Sequence, residues 1–277
     1  MPSCDYLVVG HVSQDITPHG ARPGGSVAYA ALTVQGLGLR PCVVTSCAEV
    51  PKDLLAAHVK VHCIPSQATT TFSLTEGPQG RILQLQALAA SIPPDSIPAA
   101  WLRAPIVHFA PIAREIPAEA IRRAAGRFIG VTPQGWLRRW EADGMVHPSV
   151  WPQAEKVLGE ATAAVLSIED IDGDEALAAQ WAEHVPVLVL TRGAEGATVF
   201  WQGNAHAVAA PAIAQVVDTI GAGDIFAAAF FVRLAHTRDP LAAARFAVRL
   251  ASASVTRPGL AAIPTPEEIA TALASSR

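Results

Sequence analysis

Cysteine is scarce and poorly spaced for chemistry. The chain of 277 residues holds four, at Cys4, Cys42, Cys47 and Cys63, and no two of them form a CxxC pair, so a zinc ribbon or a dithiol redox motif has no support. Three sit in strand-like apolar runs, which reads as reduced thiols in a core. Basic charge is equally thin. Against 24 Asp and Glu there are 20 Lys and Arg, a net charge of −4, and the cations are scattered, so no nucleic-acid partner is indicated. No apolar stretch approaches the ~20 residues that span a bilayer, and Met1 to Tyr6 lacks the basic start of an export signal. The expectation is a cytoplasmic protein without membrane contact. Repeats and low-complexity tracts are missing too. What remains, 51% hydrophobic and 16% charged residues, can bury one large core, and a single α/β domain over 1–277 fits better than two small ones.

The densest chemistry lies in Asp218-Thr219-Ile220-Gly221-Ala222-Gly223-Asp224 and the apolar run after it, Ile225 to Val232. Two glycines one residue apart, running into a buried helix, describe a tight turn that opens that helix. The first amides of a helix have no partner inside it and carry the positive end of its dipole, so Gly221, Ala222 and Gly223 can offer N–H groups to a phosphate. A lone Asp at such a spot often only caps the helix. With phosphate-binding amides beside it, Asp224 is read instead as a base that takes a proton from a hydroxyl. Asp218 is read as ordering the loop.

The rest of the chain alternates strands and helices. Tyr6 to Gly10 is a short apolar strand ending in Gly, with Asp15 five residues on, just past the strand end where a turn starts. Gly24-Gly25 precedes a helix from Ser26, with Ser26 near its cap. Pro41 to Cys47 and Val59 to Ile64 read as strands around a helix from Lys52 to His58, and Pro105 to Ala110 and Phe128 to Thr132 as strands around a helix from Ala118 to Arg127. Residues 69–88 read as an antiparallel hairpin turning at Gly77-Pro78-Gln79-Gly80. Strands Ala163 to Ser167, Val187 to Thr191 and Ala197 to Trp201 follow, with a helix from Asp172 to Glu183 and two more over Ile225 to His236 and Leu241 to Thr256.

These motifs resemble the ribokinase-like, or PfkB, carbohydrate kinases. Asp218 to Phe226 meets the family signature DTxGAGDxF without mismatch, Gly24-Gly25 begins a GGxxxNxA-like element, and Thr191 to Gly196 matches TxGxxG. The resemblance runs from about Val8 to Ala274 and is closest in feel to the myo-inositol kinase branch. It implies a doubly wound α/β fold with a mostly parallel sheet and a small, reduced β-lid, since Gly10 to Gly24 leaves little room for further lid strands. It implies an ATP-dependent kinase for a hydroxyl of a small sugar or cyclic polyol, myo-inositol-like favoured, with a nucleoside (adenosine-type) kinase or ribokinase as alternatives and a catalytically silent sensor as the non-enzyme one. The implied catalytic group is Asp224 with the amides of Gly221, Ala222 and Gly223. Asp15, Gly24, Gly25, Gln134 and Arg138 would hold the acceptor; Thr191, Gly193, Gly196, Thr219, Gly221 and Gly223 the nucleotide. Asp170 would act on Mg²⁺ through water, beside ATP and optionally a monovalent cation, in a monomer or homodimer. Two departures bear on the acceptor. Tyr29 stands where relatives have Asn, and Trp136 replaces a polar residue, so both are expected to turn aromatic faces to the acceptor, favouring a six-membered ring over ribose.

Overall fold

The structure, a computed structural model, describes residues 4–18, 20–77, 80–124 and 128–275. In chain order the first half runs β1 (Tyr6–Val9), β2 (Ser13–Thr17), β3 (Gly20–Gly24), α1 (Ser26–Gly36), β4 (Pro41–Cys47), α2 (Lys52–Ala56), β5 (Lys60–Pro65), β6 (Thr70–Gly77), β7 (Gly80–Ala87), β8 (Ile106–Phe109) and β9 (Phe128–Val131). The second half runs β10 (Arg138–Trp140), β11 (Val146–Pro148), α3 (Ala154–Glu160), β12 (Ala163–Ser167), α4 (Glu175–Ala182), β13 (Val187–Thr191), β14 (Ala197–Trp201), β15 (Asn204–Val208), α5 (Ala222–Thr237), α6 (Pro240–Ser254) and α7 (Pro266–Ala274). The expected doubly wound α/β class holds. A nine-stranded sheet has the order β15-β14-β13-β12-β9-β8-β1-β4-β5, parallel from β13 to β5 and antiparallel only where β14 and β15 close one edge.

Strand residues alternate between two apolar layers, because successive side chains leave a strand on opposite faces. Tyr6, Val8, Val43 and Val165 pack with α1, α5 and α6 on one face; Leu7, Val9, Cys42, Val44 and Leu166 pack with Trp136, Trp151 and Trp181 on the other. The run from Ile225 to Leu234 on α5 is buried almost continuously, as befits a helix enclosed by the sheet, α1 and α6. The free thiols match the expectation: Cys47 and Cys63 stand with their sulfurs 3.1 Å apart, unbonded.

The small sheet is larger than the sequence implies. Its order is β3-β2-β6-β7, so the segment from Gly10 to Gly24 supplies two of its four strands rather than none. Strands of five residues each, joined by a turn across Pro18, fit into that segment, and β2 then pairs in parallel with β6. The hairpin itself pairs as expected from Thr71↔Ala87 to Gly77↔Gly80; its turn residues Pro78 and Gln79 lie outside the described residues. Where a helix was expected from Ala118 to Arg127, there is a 3₁₀ stretch over Ala118–Arg123, and residues 125–127 lie outside the described set. The helix expected from Asp172 begins only at Glu175, after a left-handed Asp172 and a capping Asp174.

Candidate active site

The chain leaves β1 to one side of the sheet and returns through β8 to the other, so the carboxyl ends of β1 and β8 flank a switch point, where open α/β sheets bind ligands. Glu115 holds the two sides together. Its buried carboxylate accepts hydrogen bonds from the amide of His11 at 2.8 Å, of Ile112 at 3.0 Å and of Ala113 at 2.7 Å. The turn Ile112 to Glu115 is local, but nothing in the sequence announces the link to His11, which comes from a distant loop.

Above that point, Gly221 takes a left-handed φ of 81° and α5 begins at Ala222. A side chain at Gly221 would run into the Tyr29 ring, so glycine is required there twice over. Gly223 is exposed, with open space where a Cβ would point. Asp218 accepts from the amides of Ile220 at 3.0 Å and Gly259 at 3.1 Å and pairs with Arg22 at 2.6 Å, so it orders the loop. Asp224, in the first turn of α5, does not cap the helix; it accepts a hydrogen bond from the side chain of Ser26. Burial pushes its carboxyl up to about 6, while Ser26 and Arg138 pull it back and Asp170 and Asp15 add to the rise. A carboxylate held in this range is suited to trading a proton near neutral pH.

Asp15 is buried, accepts from the Ser13 hydroxyl at 2.8 Å, and lies against the Cα of Gly24. Gly25 has a φ of 91°, and a Cβ there would stand 2.6 Å from the His11 carbonyl. Arg138 opens β10, donates to the Ile112 carbonyl at 3.0 Å and lies over the Phe72 ring. Burial lowers its pKa, against the pull of Asp170, Asp224, Glu115 and Asp15. Gln134 donates to Asp170 at 3.3 Å. Asp170 also accepts the Ser167 amide at 2.9 Å in a capping box, and burial raises its pKa. Asp15, Asp170 and Asp224 around the single Arg138 leave the cluster short of positive charge. Such a cluster suits hydroxyl donors and a divalent cation. These acids do not stand close enough to hold a metal ion among themselves, and no other such group of three occurs among the described residues, so Mg²⁺ would rest on phosphates and waters, with Asp170 behind them.

On the neighbouring strands, Thr191 ends β13 level with Ser167 at the end of β12, and its hydroxyl donates to the Leu166 carbonyl at 3.3 Å. Gly193 and Gly196 both have positive φ, 53° and 101°, in the turn into β14. Thr219 precedes the glycine turn. Val216 and Val217 are 56% and 52% exposed, and Val217 and Asp218 both donate to the Val255 carbonyl at the end of α6. Thus an apolar ledge leads into the glycine turn.

Two expectations fail. The Tyr29 ring is 1% exposed and packed beneath Gly221, because α1 lies directly under the glycine turn. Trp136 stacks on Trp151 in the opposite core layer, donates to the Ile116 carbonyl at 2.7 Å and walls a separate cavity of about 710 Å³ with Arg114 and Lys156. Neither turns a face to the acceptor. Ser26, Arg22 and Glu115 were missed; only Ser26, directly after the glycine pair, carried any signal.

A cluster of acids thus lies at the switch point, beside a glycine-opened helix and a separate four-stranded sheet. The fold superposes on a pyrophosphate-dependent kinase of the ribokinase family complexed with a pyrophosphate analogue and myo-inositol (TM-score 0.79, 22% identity, 96% of this chain and 99% of that one). It also superposes on Arabidopsis thaliana ribokinase complexed with ribose and ATP (TM-score 0.74, 19% identity, 98% and 99% covered). Residues 151–268 match the family model of the pfkB family carbohydrate kinases, so the resemblance read from the signatures is borne out. A fructokinase of Rhizobium leguminosarum bv. trifolii is 29% identical over 222 residues, 76% of this chain, and the chain spans 62% of that protein's length.

Proposed function

We propose that the chain transfers a phosphoryl group from ATP to a hydroxyl of a small sugar or cyclic polyol. The observation that carries this reading is Asp224: a carboxyl shifted up to about 6 in the first turn of a helix that opens at the left-handed Gly221. Phosphoryl transfer asks little covalent chemistry of a protein and much alignment. In this reading Asp15 and the backbone at Gly24 and Gly25 hold the acceptor, Arg138 and Gln134 reach its other hydroxyls, and Asp224 takes the proton as the new O–P bond forms. The amides of Gly221 and Gly223, joined by that of Ala222 once it gives up the Thr219 carbonyl 3.3 Å away, bind the charge that develops on the transferred group. Mg²⁺, when bound with the donor, supplies charge neutralisation between its phosphates.

With Tyr29 and Trp136 turned away from the acceptor, the preference for six-membered rings rests on the fold's likeness to the inositol-binding kinase and the sequence likeness to fructokinase. Cyclic polyols and hexoses are therefore placed before ribose and nucleosides. The exposed Val216 and Val217, held to the end of α6 and leading into the glycine turn, support a nucleotide donor, since a flat base needs an apolar seat. The likeness to the pyrophosphate-dependent kinase supports a second donor reading. A screen of myo-inositol, fructose, ribose and adenosine, each with ATP and with pyrophosphate and Mg²⁺, tests both. Turnover of a polyol or hexose with ATP is the expected result; phosphate transfer from pyrophosphate alone would overturn the donor, and absence of transfer from either donor would overturn the kinase reading.

A further inference from the structure

Two buried polar atoms without a hydrogen-bond partner sit in one corner of the molecule: the Nε of Arg22 and the hydroxyl of Tyr29. Arg22 comes from β3 of the small sheet. Its Nη1 lies 2.6 Å from the Asp218 carboxylate, which also accepts from Gly259, so one guanidinium ties the small sheet to the glycine turn and to the loop after α6. Tyr29 rises from α1 against Gly221, and the charges of Arg22, Asp15, Asp224 and Asp218 all bear on its hydroxyl. The orphaned groups therefore border the path that a phosphoryl group would take past Gly221.

Buried polar groups are nearly always satisfied, and leaving one bare costs stability. Two in one place, both able to donate, on segments that belong to different layers, point to a shared acceptor. We propose that Arg22 and Tyr29 form an oxyanion subsite that completes the anion cradle of Gly221 to Gly223. A tetrahedral oxyanion suits it, because separate oxygens can meet the guanidinium and the hydroxyl while others face the amides. Since Arg22 is carried by the small sheet, an anion seated there also fastens that sheet over the reacting groups and keeps water out. This subsite rests on the phosphotransfer reading for its role, but its ligand chemistry is testable separately.

The experiment compares Tyr29→Phe, which keeps the ring under Gly221, and Arg22→Lys, which keeps the charge without the Nε, with the parent chain. Binding of inorganic pyrophosphate is followed by calorimetry, melting by circular dichroism, and turnover with ATP or pyrophosphate by coupled assay. Tyr29→Phe should melt higher than the parent, because an unpaired hydroxyl is gone, yet bind pyrophosphate roughly tenfold more weakly. Arg22→Lys should lose roughly tenfold or more in pyrophosphate affinity and in kcat, with the KM for the acceptor unchanged. Unchanged pyrophosphate affinity in both variants would overturn the subsite, and so would a lower melting point of Tyr29→Phe with unaltered affinity, the sign of a hydroxyl served by water. If the parent chain transfers no phosphate but binds pyrophosphate with the same losses in the variants, the kinase reading falls and the subsite stands. If transfer is robust and neither variant affects it or pyrophosphate binding, the subsite falls alone.

Discussion

Replacing Asp224 with Asn should make the protein more stable and nearly inactive. The carboxyl titrates at about 6 in the fold and near 3.8 when unfolded, so its folded pKa is raised. Ionisation therefore opposes folding: the penalty is absent below about 3.8, grows as pH rises, and is complete above about 6. Roughly two pKa units at about 1.36 kcal/mol each put that penalty at no more than about 3 kcal/mol at neutral pH, with solvent access reducing it. Asn keeps the size and can still accept from Ser26, but carries no charge to desolvate. The Asp224→Asn protein should melt several degrees higher at pH 7.5 and no differently near pH 3.5. Its kcat should fall by roughly 10²-fold or more, the scale of a positioned base. In the parent chain kcat/KM should drop about tenfold per pH unit below 6 and level off above it. A pH profile flat down to pH 5, or an Asn variant that works at the parental rate, would refute the assignment of Asp224 as base.

Further expectations follow from the same groups. His108 is fully buried between the Tyr6 hydroxyl and the Thr132 hydroxyl, each 3.0 Å away, and burial lowers its pKa to about 3. In the fold it stays neutral down to about pH 3 while the unfolded imidazole charges below about 6.5, so stability should fall by up to about 1.4 kcal/mol per pH unit between those values. Between pH 6 and 4 Asp224 has the opposite slope, so urea titrations should show the His108 slope more steeply in Asp224→Asn than in the parent. Glu115→Gln leaves the loops after β1 and β8 with a weaker acceptor for three amides. It should cost about 2 kcal/mol or more by urea denaturation and raise the acceptor KM. Gly223→Val, exposed and outside the core, should leave melting unchanged while lowering kcat more than it raises the donor KM. A pure KM effect would make the turn a simple binding loop.

The sequence by itself determined the fold class, the position of the glycine turn, and the strands from Pro41–Cys47 to Ala197–Trp201. Periodicity and turn chemistry are local, and DTIGAGD holds its amides and its acid within one stretch of chain. Asp224 and the Thr191 to Gly196 turn stood out because each lies at a helix or strand end, where open α/β sheets bind ligands, whereas Asp15 proved to sit in the middle of β2. Tertiary structure decided the rest. Whether Tyr29 and Trp136 face a ligand or a core depends on which layer covers them, and α1 under Gly221 and the stack on Trp151 are packing outcomes without a local pattern. Two extra strands in the small sheet became visible only when β6 offered β2 a partner, since an isolated five-residue strand has no stability of its own. The pairing of Arg22 with Asp218, of Ser26 with Asp224, and of Glu115 with His11 joins residues far apart in the chain. Charge and hydrogen bonding act over ångströms in space, and distance along the sequence carries no record of them.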